Sequence, residues 1–244
     1  MRSWLYLEKD LIMFNLPELV IFDLDNTLYD YESPNAAGEN ALIYFIQENL
    51  KIPRSEIMNL FNESRMNVKE TLGATAASHS RLMYIREFLN SNSISTHATF
   101  ALECEQVFWR TYMDKMVLFE GVKEFVNYLR MSRTKLVLVT DLSTQIQIRK
   151  LAWLGLDRAF ELMITSEEAG GDKETGKPEA MLRRLVTPVA GKTWAIGDKD
   201  WDHLFSTEST FFKKTTSSKL KEKSESMYEF SDFRELLSQI NFES

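Results

Sequence analysis

"VIFDLDNTLYD", Val20–Asp30, begins as an apolar run and then places Asp23 and Asp25 one residue apart, with Asp30 close behind. Leu19 to Phe22 shows no polar alternation, the pattern of a parallel strand covered on both faces. Two carboxylates at the end of such a strand repel each other and are costly to desolvate. Either they sit solvated in a capped turn, or something positive lies between them.

The flanking sequence sets the fold. After the strand, Ser33 and Pro34 suit a helix start, and Ala37, Ala41, Tyr44 and Phe45 follow helical spacing. Helical patterning then continues through 55–71, 78–89 and 96–113 with no strand signal. After Phe119 the character changes. "EGVKEFVNYLRMS" reads as a helix and "KLVLVTD" as a strand ending at Thr140 and Asp141. "STQIQIRKLAWLG" reads as a helix capped by Ser143 and stopped by Gly155. "FELMITS" is a strand, "PEAMLRRLV" a helix, and "TWAIGD" a strand ending at Asp198. Phe211 and Phe212 mark a last short strand. "KKTTSSKLKEKSES" reads as a solvated loop, and "FSDFRELLSQI" as a closing helix capped by Ser231. Alternating strands and helices predict an α/β fold, a Rossmann-like parallel sheet flanked by helices. An all-helical domain over residues 33–115 is inserted into a core made of 1–32 and 116–244. The notable acids fall at carboxyl ends of strands, the edge where open parallel sheets bind ligands.

Composition narrows the class. The 244 residues carry a net charge of −7, which argues against a nucleic-acid-binding surface. The single cysteine, Cys104, permits no intrachain disulfide and reads as a buried helical side chain. Three scattered histidines do not form a zinc site. No apolar run approaches the ~20 residues of a membrane span, and Glu8, Lys9 and Asp10 interrupt the start where a leader needs its apolar stretch. A cytoplasmic protein with no membrane partner is expected.

Four segments, "DLDNT", "VTD", "TGKPEA" and "GDKDWD", stand in this order with a helical insertion after the first. Together with the connecting stretch "LGLDRAFELMITSEEAG", they resemble the haloacid dehalogenase superfamily of phosphotransferases, over Leu19 to Asp202. The resemblance implies that Asp23 is the nucleophile and a metal ligand. Asp25 would be the general acid/base, with its backbone carbonyl on the metal. Thr140 would bind the transferring phosphate, with Asp141 beside it, and Lys177 would hold both nucleophile and phosphate, with Lys173 as a nearby competitor. Asp198 and Asp202 would complete the metal site. Mg²⁺ suits such an all-oxygen set, and with Lys177 it would offset the repulsion between carboxylates and a phosphate dianion. An acid at Asp25 favours phosphate monoester hydrolysis, because an alkoxide leaving group needs a proton where a halide does not.

The implied function is a Mg²⁺-dependent phosphatase of a small metabolite, a sugar phosphate or nucleoside monophosphate, working through an aspartyl-phosphate. A phosphomutase with the same intermediate and a non-catalytic binding protein on this fold are the alternatives. The resemblance implies a mobile cap for the helical insertion, where His79 and Arg81, near a helix start, are candidate substrate contacts and Arg65 and Tyr84 weaker ones. The segment after Asp202, "HLFSTESTFF", is shorter than the family's and lacks its glycines and alanines.

Overall fold

A computed structural model describes residues 13–96, 98–217 and 219–241. The chain start read above for a leader lies largely outside these residues, as does His97. Among the described residues, no helix is long and apolar enough to cross a membrane.

The sheet is built from β1 (Leu19–Phe22), β2 (Lys135–Thr140), β3 (Leu162–Thr165), β4 (Thr193–Gly197), β5 (Ser209–Lys214), β6 (Lys221–Ser224) and β7 (Met227–Phe230). Their order is β3-β2-β1-β4-β5-β7-β6, parallel except for the β6–β7 pair. All four residues of β1 are buried. Side chains alternate across a strand, so Val20 and Phe22 enter one core with Leu138, Trp194 and Phe212. Leu19 and Ile21 enter a second core with Val139, Ile164 and Phe205. This two-faced burial explains why the run is apolar without alternation.

Between β1 and β2 the chain forms α1 (Glu32–Leu50), α2 (Arg54–Leu72), α3 (Arg81–Ser91), α4 (Phe100–Lys115) and α5 (Val122–Met131). Within the first four, α1 packs chiefly on α4 and α2 on α3. Then follow α6 (Thr144–Leu154), α7 (Ser166–Ala169), α8 (Lys177–Leu182) and α9 (Phe233–Ser238).

Some local expectations change. The helix expected from residue 78 starts at Arg81; a 3₁₀ turn spans Ala76–His79, and Ser80 caps α3 by accepting from the Met83 amide at 3.3 Å. Asp232, not Ser231, caps α9, accepting from the Arg234 amide at 2.8 Å. The polar stretch taken as a loop contributes the end of β5 and all of β6. Every β6 residue is exposed, so this edge strand keeps a loop-like, charged composition. Gly155 ends α6 at φ +69°, as its position predicts.

The topology creates the site. From β1 the chain builds β2 and β3 on one side, then crosses to place β4 and β5 on the other. The crevice at this reversal lies beyond the carboxyl ends of β1 and β4.

Candidate active site

Asp23 follows β1 directly and is 6% exposed. Its Oδ1 accepts from Lys173 Nζ at 2.5 Å, and its Oδ2 accepts from the Thr27 hydroxyl at 2.8 Å. Lys173 also pairs with Asp202. The other oxygen of Asp202 accepts from the backbone amides of Asp198 and Lys199 at 3.0 and 2.9 Å. Asp198 itself pairs with Lys199 at 2.9 Å. Carboxylate oxygens of Asp23, Asp198 and Asp202 lie within 4.8 Å of one another.

Electrostatics show what this cluster lacks. Burial, joined by the charges of Asp202 and Asp198, pushes the Asp23 carboxyl well above its ordinary range against the pull of Lys173. Burial also raises Asp198. For Lys173, burial alone would disfavour the ammonium, but Asp23, Asp202 and Asp141 outweigh it and hold it charged. Two ammoniums, Lys173 on Asp23 and Asp202 and the half-exposed Lys199 on Asp198, thus serve three crowded carboxylates. A hard divalent cation fits this donor set: the oxygens are carboxylate, close together and short of positive charge.

The family resemblance implies that Lys177 holds the nucleophile, but the structure keeps it out of the cluster. Its ammonium is exposed and donates to the Gly170 carbonyl at 2.7 Å. Lys173, four residues earlier, occupies the centre. The reason is backbone anchoring: the Lys173 amide donates to Asp141 Oδ1 at 2.9 Å, and a 3₁₀ turn over Lys173–Thr175 aims the side chain inward. Asp141 therefore anchors the lysine loop.

A cavity of about 290 Å³ opens over these acids, between the strand ends and the helical segment. Asp23, Asp25, Thr140, Asp141, Lys173 and Asp198 line its floor. Thr140 accepts from Gln147 Nε2 at 2.6 Å. Asp25 accepts from Lys150 Nζ at 2.8 and 2.7 Å and from the Tyr29 hydroxyl at 2.6 Å. Tyr29 in turn shares a 2.6 Å hydrogen bond with Tyr112. Lys150 is wholly buried under Tyr29, Tyr31, Trp109 and Tyr112. Burial lowers its pKa against the opposing pull of Asp25.

His79 and Arg81 both line the cavity. His79 Nε2 lies 2.9 Å from Asp172 Oδ2. Arg81 is buried, donating to Tyr31 Oη at 2.5 Å, Asn35 Oδ1 at 2.7 Å and the His79 carbonyl at 2.9 Å. Lys150 was not singled out from the sequence, although a signal exists. It falls on the buried stripe of α6 with Ile146, Gln147, Leu151 and Leu154. A lysine on an apolar stripe needs a buried partner.

The fold and the strand-end acids define a haloacid dehalogenase-like hydrolase, and the family of that description matches residues 20–213. The chain belongs to this family and is an enzyme of the hydrolase class. Among curated proteins, it is 36% identical over 180 residues to a ribulose-1,5-bisphosphate 5-phosphatase of Halopiger xanaduensis (strain DSM 18323 / JCM 14033 / SH-6), covering 73% of this chain and 75% of that one. Among solved structures, it resembles the HAD-hydrolase YfnB from Bacillus subtilis, bound to magnesium, with a TM-score of 0.65, 17% identity and coverage of 92% and 98%. A HAD phosphatase from Thermococcus onnurineus gives a TM-score of 0.63, 18% identity and coverage of 91% and 96%. These two structural likenesses concern the fold.

Proposed function

We propose that the protein is a Mg²⁺-dependent phosphatase of small sugar phosphates, acting through a phosphorylated Asp23. The observation that carries this reading is the placement of Asp23. It lies at the switch point, on Lys173, within a carboxylate cluster fit for a divalent cation and below a cavity of metabolite size. Kinship to a sugar-bisphosphate phosphatase supports the substrate class.

In the first step, an Asp23 oxygen forms a bond to phosphorus as the phosphorus–oxygen bond to the sugar breaks. The leaving alkoxide takes a proton from Asp25. In the second, Asp25 removes a proton from water, whose oxygen attacks phosphorus and releases phosphate and free Asp23. Lys173 holds Asp23 in place and offsets the charge of the incoming dianion. Asp23, Asp198 and Asp202, with the Asp25 carbonyl, would hold the cation, which supplies further compensation for the phosphoryl charge. Lys150 and Tyr29 fix the Asp25 carboxylate through their hydrogen bonds to it. For the first step, a protonated Asp25 must leave Lys150 and turn to the sugar oxygen. Residues 33–115 act as the cap that closes on the core and excludes water.

The test is release of p-nitrophenol from p-nitrophenyl phosphate, with Mg²⁺ and with excess EDTA, by wild type and Asp23→Asn. Turnover that needs the metal and vanishes in the variant is expected. Undiminished turnover in Asp23→Asn would remove Asp23 as nucleophile.

A further inference from the structure

The cavity has two unlike ends. Its floor is the acid cluster described above, where each lysine is already engaged: Lys173 by Asp23 and Asp202, Lys150 by Asp25, Lys199 by Asp198. The helical wall is different. Arg65 and Lys69 lie four residues apart on α2, so both project from one face, and both line the cavity. Buried Arg81 stands close by.

These charges are only partly answered. The acids beside them include Glu39, 3.6 Å from Arg65 and also accepting from Asn35, and Asp172, held by His79, while Glu32 lines the same cavity. Lys69 makes no side-chain hydrogen bond or ion pair to any described residue. Its ammonium is disfavoured first by partial burial and then by Arg65 and Arg81, against Asp172. Arg65 thus has one loose ion pair and Lys69 has none among the described residues, and both line the substrate cavity.

We infer that Arg65 and Lys69 form a second anion subsite, selecting substrates that carry another phosphate or a carboxylate beyond the phosphoryl group transferred at Asp23. This rests on the phosphatase reading of the same site and adds a substrate class to it. At about 290 Å³ the cavity sits at the small end of metabolite sites, so both anionic groups belong to one small molecule. Arg81, fixed by Tyr31 and Asn35, is a positioning residue that keeps the wall positive.

The experiment compares fructose 1,6-bisphosphate with fructose 6-phosphate, and ribulose 1,5-bisphosphate with ribulose 5-phosphate. Wild type, Arg65→Met and Lys69→Met are assayed for kcat/KM, and calorimetry on the Asp23→Asn background measures binding of the same four compounds. Wild type is expected to favour the bisphosphate in at least one pair. Each substitution is expected to reduce that ratio by about 10- to 100-fold, mainly through KM. Because Lys69 is exposed, its variant keeps the fold, which its melting temperature verifies. A ratio unchanged by both substitutions overturns the subsite. So does an absence of binding by all four compounds. If wild type turns over none of them, but bisphosphate binding to Asp23→Asn weakens when Lys69 is replaced, the subsite stands and the phosphatase reading falls.

Discussion

Replacing Lys173 by Met, with Lys177→Met as its control, separates two lysines that the sequence places four residues apart. Lys173 is 5% exposed and holds Asp23 and Asp202, themselves 6% and 3% exposed. Removing it leaves two buried carboxylates facing each other without an ammonium. Breaking a buried pair in this way costs about 3–5 kcal/mol. For a chain of this size each kcal/mol lowers Tm by about 2–4 °C, so Lys173→Met should melt roughly 6–20 °C below wild type in EDTA. Mg²⁺ should recover part of that loss by binding the freed carboxylates. Phosphatase activity should fall by about 100- to 1,000-fold, the scale for losing one charge-stabilising donor. Lys177→Met removes an exposed bond to a carbonyl and should stay within about 0.5 kcal/mol of wild type. Thermal melts with and without Mg²⁺, plus p-nitrophenyl phosphate kinetics, decide the matter. An inactive Lys177→Met beside an active, equally stable Lys173→Met would refute the assignment.

Other perturbations have equally definite outcomes. Lys150→Met strips Asp25 of its two contacts at 2.7 and 2.8 Å; stability should fall by about 1.5–3 kcal/mol and kcat should drop, read by denaturant melts and steady-state rates. If the proposed metal site holds, Asp198→Asn removes one of its anionic ligands and should weaken Mg²⁺ binding measured by calorimetry. At Gly197 an added Cβ would collide with the Asp202 side chain, so Gly197→Ala should cost about 1–3 kcal/mol and displace the acid that shares Lys173, lowering activity as well. Burial pushes the Cys104 thiol up to about 12. Its thiolate fraction at pH 8 is then on the order of 10⁻⁴, and Ellman's reagent should react only after unfolding. Rapid labelling of the native protein would contradict the burial.

What the sequence determined by itself was whatever depends on near neighbours. Leu19–Phe22 is apolar on both faces, so it had to be a central strand, and β2, β3 and β4 follow from similar runs. Because Asp23, Thr140 and Asp198 end such strands, a shared sheet edge was legible without coordinates, as was the helical character of 33–115. Contacts between distant segments were not. Lys150 meets Asp25 across 125 residues, and Lys173 meets Asp23 across 150. The choice of Lys173 over Lys177 turned on one hydrogen bond from the Lys173 amide to the Asp141 carboxylate, 32 residues away. β6 has no apolar face to betray it, because it is recruited by pairing with β7 at the sheet edge. Periodicity reports which face of an element is buried. It carries no information about which charged groups meet once the elements pack, and in this protein that meeting decides which lysine serves the acids and which cations line the wall above them.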